Sequence, residues 1–288
     1  MNWVILVLIS AILFAAANII RKFVLNKEHT LEFLAARGFF TIFLLLFLAP
    51  WVDTGIDFRI LGLICLASIV ATVGYYYQTK AQRHTDISYC APLQNLAPLF
   101  LLIFAYLFLH ETISTVQLLG VLAIVAGSYT LAIEPGTKLF PGLQSIFNGP
   151  GWHIAISVVL LAVAAVLDKF MLGIIRPVTY VFFGWLFMNL TWISLHWIQY
   201  DWSHVLVDFK KGWHWLLLSA IFSLASALFF FEGIASPAVL VSLALPLKRI
   251  SALIETLFGG ALFHEKHLPR RLLAGLIMLV GVVLIAKS

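Results

Sequence analysis

The residues best suited to chemistry are a lysine and an arginine that stand side by side inside an apolar segment. Lys248 and Arg249 lie in the middle of the stretch 238–262. If this stretch is one helix, the pair lies roughly 15 Å from its start, at about 1.5 Å per residue. Charged side chains at such a depth in a membrane are costly and usually functional. An arginine fork beside a lysine point charge suits a phosphate or carboxylate, so the pair is the first candidate for binding a substrate's acidic group.

A second interpretation of the same pair is internal neutralisation. Glu255 follows Lys248 by two helical turns on the same face, and Glu232 lies at the end of the preceding apolar stretch. Either carboxylate could form an ion pair with a structural or gating role. Glu232 is also a candidate for carrying a coupling proton, because acidic groups inside membranes often serve proton relays. The sequence leaves the anion-binding and ion-pairing interpretations open.

Further polar side chains within apolar segments are candidates for lining the same cavity. They would give hydrogen bonds or aromatic walls to a metabolite, or else bond one helix to another. The predicted substrate-binding set is Lys248, Arg249, Gln94, Asn95, Tyr76, Gln78 and Asn18. Asp168 and Lys169 are adjacent near the end of an apolar stretch and are predicted to form an interfacial charge cluster.

Two His-Glu pairs, at 110–111 and 264–265, stand in short connections between apolar stretches. They could be metal ligands, but a role in capping the turn into the next helix is favoured, since Glu is stabilising near a helix start. The chain has no phosphate-binding glycine loop and no nucleophile elbow. We therefore expect no enzyme activity, no bound metal and no cofactor.

The elements that must position these residues are membrane helices. Hydrophobic residues make up 62% of the 288 residues and charged residues 11%, far below the roughly 25% typical of soluble domains. About 20 apolar residues are needed for one crossing. Ten stretches qualify, which predicts an all-α polytopic membrane protein; they are 3–22, 31–49, 59–79, 86–108, 115–133, 152–172, 178–199, 213–235, 238–262 and 270–286.

The two halves of the chain are similar in sequence. An offset of 154 residues aligns identical residues of the two halves: Ser88 with Ser242, Pro92 with Pro246, Leu93 with Leu247, His110 with His264 and Glu111 with Glu265. Near the starts of the halves the offset becomes 147, where Ser10 and Lys22 match Ser157 and Lys169. We therefore divide the chain into a five-helix repeat at 1–134, a linker at 135–151 and a second repeat at 152–288. Because five is odd, the second copy should be inverted in the membrane, an arrangement typical of alternating-access transporters.

The basic residues are distributed unequally between the two membrane sides. The side shared by both termini carries 4 of the basic residues considered and the opposite side carries 11. Basic loops prefer the cytoplasm, so this bias predicts that both termini lie outside. The net charge of +5 comes from these loops, and we expect lipid and a small metabolite as partners rather than nucleic acid.

The chain resembles the drug/metabolite transporter superfamily, and specifically its ten-helix EamA-type branch. The resemblance is carried by Phe108-Leu109-His110-Glu111 and by Leu262-Phe263-His264-Glu265, each followed by glycines in the next helix, and by Arg37. It implies alternating access, termini in the cytoplasm, and a cavity lined mainly by the first, third, fourth, sixth, eighth and ninth helices. The Lys248-Arg249 pair is also similar to the phosphate-binding pair of the plastid sugar-phosphate translocators.

The leading functional hypothesis is a secondary transporter in the plasma (inner) membrane that moves a small anionic or zwitterionic organic metabolite. A coupling proton or a counter-substrate would drive it. One alternative is an exporter of amino acids, cations or drugs, in which Glu232 and Glu255 neutralise the basic pair. Alternatives from other classes are an intramembrane transferase and a non-catalytic membrane scaffold.

Overall fold

A computed structural model describes residues 2–25, 30–84, 94–132, 151–199, 202–255 and 268–287. Within these residues the chain forms ten α-helices with the bounds below, a further helical segment at 250–255 and one short 3₁₀ turn, Ala49–Trp51, with no strand. The helices are α1 (Trp3–Leu25), α2 (Thr30–Leu48), α3 (Phe58–His84), α4 (Ala97–Leu109), α5 (Thr115–Ala132), α6 (Gly151–Leu172), α7 (Pro177–Gln199), α8 (Trp202–Ile234), α9 (Val241–Lys248) and α10 (Leu268–Lys287).

Six of these helices contain apolar spans long enough to cross a membrane; they are α1, α2, α3, α6, α7 and α8. Shorter apolar helices follow at Ala97–Leu109, Thr115–Leu131 and Leu273–Lys287. Many large apolar side chains point outward, such as Phe43, Phe47 and Ile198. An exterior of this kind is stable against lipid rather than water, so the prediction of an all-α polytopic membrane protein is confirmed.

Two predicted helices are not continuous. In the stretch 238–262, α9 ends at Lys248, Arg249 forms a turn, and helix resumes over 250–255, where this described range ends. In the stretch 86–108, Asn95 and Leu96 form a turn before α4, and the residues before Gln94 lie outside the described part. At the first break Pro98 cannot donate the backbone hydrogen bond that a continuous helix would make to Gln94, whereas Pro246 lies inside α9, three residues before the second break. Both breaks fall at repeat-equivalent positions, next to the candidate residues.

Equivalent helices of the two halves make equivalent contacts. Helix α1 packs on α8 as α3 packs on α6, and α1 meets α9 as α6 meets α4. The pairs α2–α7, α4–α9 and α5–α10 each join equivalent helices from the two halves. A twofold relation between five-helix copies would give this pattern. The inverted orientation of the second copy stays a prediction.

Helices α5 and α10 approach each other through residues without bulky side chains. A Cβ atom on Gly281 would lie 2.5 Å from the carbonyl oxygen of Gly120, and one on Gly127 would lie 2.7 Å from that of Ala274. The two contacts are equivalent under the 154-residue offset. Small residues are the usual means of close helix packing in membranes, where no hydrophobic force drives association.

Candidate substrate-binding site

Lys248 lies at the end of α9, with its ammonium between two aromatic rings. The Nζ atom is 4.3 Å from the centroid of the Phe230 ring and 5.0 Å from that of Phe14. Phe14 is about halfway along α1, which places Lys248 near the middle of the bundle. Within the described residues, this ammonium forms neither an ion pair nor a hydrogen bond. A cation that has π faces but no acceptor can receive an anionic group.

Arg249 occupies the turn that ends α9 and reaches the broken helix of the first half. Its Nη2 atom lies 3.4 Å from the carbonyl oxygen of Gln94. In a continuous helix this carbonyl would accept from residue 98, but Pro98 has no N–H. The two breaks therefore meet, and Arg249 supplies the donor that Pro98 lacks.

Asp168 does not belong to an interfacial cluster with Lys169, so that expectation is wrong. Its Oδ1 atom accepts a hydrogen bond from the Tyr180 hydroxyl of α7, and the carboxylate lies within electrostatic range of Lys248. Lys169 instead donates to the carbonyls of Ile234 and Ser236. The two residues diverge because neighbouring positions on a helix are rotated by about 100°. Asp168 thus belongs to the neighbourhood of Lys248 rather than to that of Lys169.

Neither predicted partner forms an ion pair with Lys248 in the described structure. The Oε1 atom of Glu255 accepts from Asn18 Nδ2 at 2.9 Å, and its charge faces Arg21 and Arg249. The turn at Arg249 breaks the helical register that would have placed Glu255 on the face of Lys248. Glu232 is exposed at the end of α8. Asn18 therefore joins the site through Glu255 rather than standing alone.

The amide residues of the set connect helices around the first break. Gln78 Nε2 donates to Gln94 Oε1 at 3.0 Å, and Asn95 Nδ2 donates to the Ser128 carbonyl at 2.9 Å. Tyr76 packs outside this centre, against the cluster that contains Phe33. The aromatic residue in the repeat-equivalent position, Phe230, is the one that contacts Lys248.

The structure adds Tyr75 to the centre. This residue is 43% exposed, yet its hydroxyl is within electrostatic range of four charged groups: Asp168 of α6, Arg249 of the turn after α9, Arg37 of α2 and Arg21 of α1. Tyr75 is therefore both partly accessible and close to the charged groups of the centre. The sequence prediction named Tyr76, the next residue in a run of three tyrosines at 75–77.

Two further cations belong to this charged cluster. Arg37 Nη1 lies 3.4 Å from Ser223 Oγ, and Arg21 faces Glu255. In this cluster four cationic groups (Arg21, Arg37, Lys248 and Arg249) face two acidic ones (Asp168 and Glu255). The excess of positive charge favours an anion.

The first His-Glu pair has a structural role. His110 has a left-handed backbone, with φ of 55°, and ends α4 where glycine is usual. Glu111 does not cap the next helix, α5, whose start is capped by reciprocal bonds between Ser114 and Gln117. It caps α9 of the other half. The second pair, His264 and Glu265, lies outside the described residues.

Comparisons with known proteins agree with the family resemblance. Residues 1–133 match the model of the EamA-like transporter family. One solved protein, described only as "Crystal structure of protein", superposes with a TM-score of 0.76 at 14% identity, over 98% of this chain and 95% of that chain. At this identity the likeness shows the fold alone. No curated protein matches the chain.

Proposed function

Since the chain is an integral membrane protein whose residues 1–133 carry the EamA-like transporter match, we propose that it is a secondary transporter for a small organic anion or zwitterion. Transport by alternating access would use the charged centre where the two helix breaks meet. Lys248 and Arg249 bind the acidic group of the substrate. We place this activity in the plasma (inner) membrane, with a proton or a counter-substrate as the coupling partner.

One observation supports this proposal above the others: the ammonium of Lys248 lies in the interior and has no acceptor among the described residues. Removing an ion from water costs several kcal/mol in a protein interior. Two aromatic contacts offset about 0.5–2 kcal/mol each. An anion bound beside Lys248 would offset the rest of this desolvation cost, and this favours anion binding at the site.

Asp168 bears on the choice between an anion and a zwitterion. Its carboxyl group lies within electrostatic range of Lys248, so one molecule with an ammonium and an acidic group could satisfy both. Of the substrates in the alternative hypothesis, an exporter of amino acids, cations or drugs, this observation favours amino acids. A cation without an acidic group would meet the excess of positive charge.

The proposal is tested by a thermal-shift screen of the purified protein. The ligands are sugar phosphates, carboxylates, amino acids and polyamines, each with wild type, Lys248→Met and Lys80→Met. Lys80 is the matched control, because its Nζ also lies over an aromatic ring, that of Tyr76 at 5.9 Å, but outside the central cluster. A bound ligand raises the apparent Tm by mass action.

We expect an anion or zwitterion to stabilise wild type and Lys80→Met but not Lys248→Met. Stabilisation by polyamines alone, or equal stabilisation of Lys248→Met by the anion, would contradict the proposed site.

A further inference from the structure

Glu111 belongs to the first half of the chain but binds a helix of the second half. Its Oε1 accepts from the backbone N–H of Val241 at 2.8 Å and its Oε2 from that of Ser242 at 3.0 Å. The Ser242 hydroxyl also donates to Oε2. Both carboxylate oxygens therefore hold the first turn of α9, where backbone donors lack helical partners and the helix dipole favours a negative charge.

Lys169 holds the other end of the same connection. Its Nζ donates to the carbonyls of Ile234 at 2.6 Å and Ser236 at 2.8 Å, at the C-terminus of α8, where a cation is favourable. Lys169 and Glu111 are within electrostatic range of each other. The segment from α8 to α9 is thus fixed at one end by α6 and at the other by the α4–α5 connection.

This cluster lies on the membrane side of the chain termini. Near the end of α8, Gly233 packs against Leu6, Val7 and the carbonyl of Trp3 at the start of α1. The N-terminal half of α5, which follows Glu111, packs through Gly120 against Ile285 near the C-terminus. The contacts therefore join both halves of the chain at one end of the bundle.

Helix α9 transmits the position of its start to the candidate site. It has eight residues, Val241 to Lys248, which is roughly 12 Å at 1.5 Å per residue. Its first two N–H groups are held by Glu111, and its last residue carries the ammonium between Phe14 and Phe230. A movement at the capped end would move Lys248.

We propose that Glu111, Ser242 and Lys169 form a latch that closes the bundle on the side of the chain termini and positions Lys248. The inference rests on the proposed transport function, because a latch has meaning only for a pathway that opens. Glu111 is a positioning residue, since it acts on the site through α9. The sequence carries the same residue types at the repeat-equivalent positions Lys22, Ser88 and Glu265, which lie outside the residues with described side chains.

The test measures how accessible α9 is from each side of the membrane, and it needs no substrate. Ala244 is fully buried and precedes Lys248 by one turn on the same face. In a background in which both native cysteines are alanine, Ala244→Cys serves as the probe. A charged, membrane-impermeant methanethiosulfonate reagent is added to either side of sealed vesicles, and the rate of modification is measured.

We expect Glu111→Gln to raise the modification rate from the termini side by about tenfold, the equivalent of ~1.4 kcal/mol. Glu111→Asp, which keeps the charge, should recover part of the wild-type protection. Asp53→Asn is the matched control: it removes an exposed ion pair with Arg176, 3.6 Å long, on the same membrane side without touching α9. Its rate should equal that of wild type.

Equal rates for Glu111→Gln and wild type, or equal increases for Glu111→Gln and Asp53→Asn, would overturn the latch. If Glu111→Gln does not fold, Ser242→Ala removes one bond of the latch and should raise the rate in the same direction; an unchanged rate there also overturns it. The substrate site is assessed separately, because Lys248→Met abolishes ligand stabilisation if the proposed function holds, whatever the labelling result.

Discussion

At the scale of single residues, the centre of this protein holds its cations with weak partners. Lys248 has two aromatic faces and Arg249 has a carbonyl oxygen at 3.4 Å. Direct carboxylate pairs would have neutralised both charges and left little affinity for a ligand. Asp168 and Glu255 are bonded instead to Tyr180 and Asn18. The acidic groups therefore lie near Lys248 and Arg249 without forming direct ion pairs with them, and both cations can still bind a ligand.

Asp168→Asn should separate anionic from zwitterionic substrates. The substitution removes a negative charge facing Lys248 but keeps an oxygen that can accept from Tyr180. Binding of a simple anion should strengthen by roughly tenfold, or ~1.4 kcal/mol, and binding of a zwitterion should weaken. Equilibrium binding of one ligand from each class measures both effects; no change in either would remove Asp168 from the site.

His110 gives a second prediction at this scale. A left-handed conformation costs a residue with a side chain roughly 1–2 kcal/mol, and glycine avoids that cost. His110→Gly should therefore leave the apparent Tm unchanged or higher, whereas the β-branched His110→Val should lower it. Loss of ligand binding in a well-folded His110→Gly protein would instead indicate a chemical role for the imidazole.

At the scale of helices, apolar length predicted where segments cross but not where they break. The stretch 213–235 became the last part of a longer helix, Trp202–Ile234, and the stretch 238–262 contained a turn at Arg249. Hydropathy averages over a window, so a turn of one or two residues leaves no trace in it; the prolines inside the two stretches, Pro92, Pro98 and Pro246, were the local signals of a kink. The bond from Glu111 to α9 spans 130 residues, and no local pattern encodes such a partner, although the repeat had marked both Glu111 and Ser242.

The α5–α10 contact predicts a sharp difference between two glycines. Gly281→Ala would place a Cβ atom 2.5 Å from a backbone oxygen, which cannot move aside easily, whereas Gly62 has nothing within 4 Å. We expect Gly281→Ala to lower stability by about 1–3 kcal/mol. Gly62→Ala should be neutral or slightly stabilising, since alanine is the better helix former. Thermal unfolding of both variants in one detergent checks the difference, and similar Tm values would contradict the close packing.

At the scale of the whole molecule, the two halves contribute different chemistry to one scaffold. The first half places Gln94 and Asn95 at its helix break, and the second half places Lys248 and Arg249 at the equivalent break. If the second copy is inverted, as we predict, such a scaffold could adopt two mirrored arrangements, while the residues that differ between the halves give the centre its charge. The repeat was visible in the sequence, but the contact between the breaks was not, because it depends on how the helices pack.

The most direct test of this account is counterflow into proteoliposomes. Vesicles loaded with the unlabelled ligand that gives the largest thermal shift are diluted into labelled ligand, and uptake is followed for wild type, Lys248→Met and Lys80→Met. The account predicts transient accumulation of label with wild type and Lys80→Met, and the level of empty liposomes with Lys248→Met. Accumulation by Lys248→Met at the wild-type rate would show that the interior lysine does not bind the transported molecule.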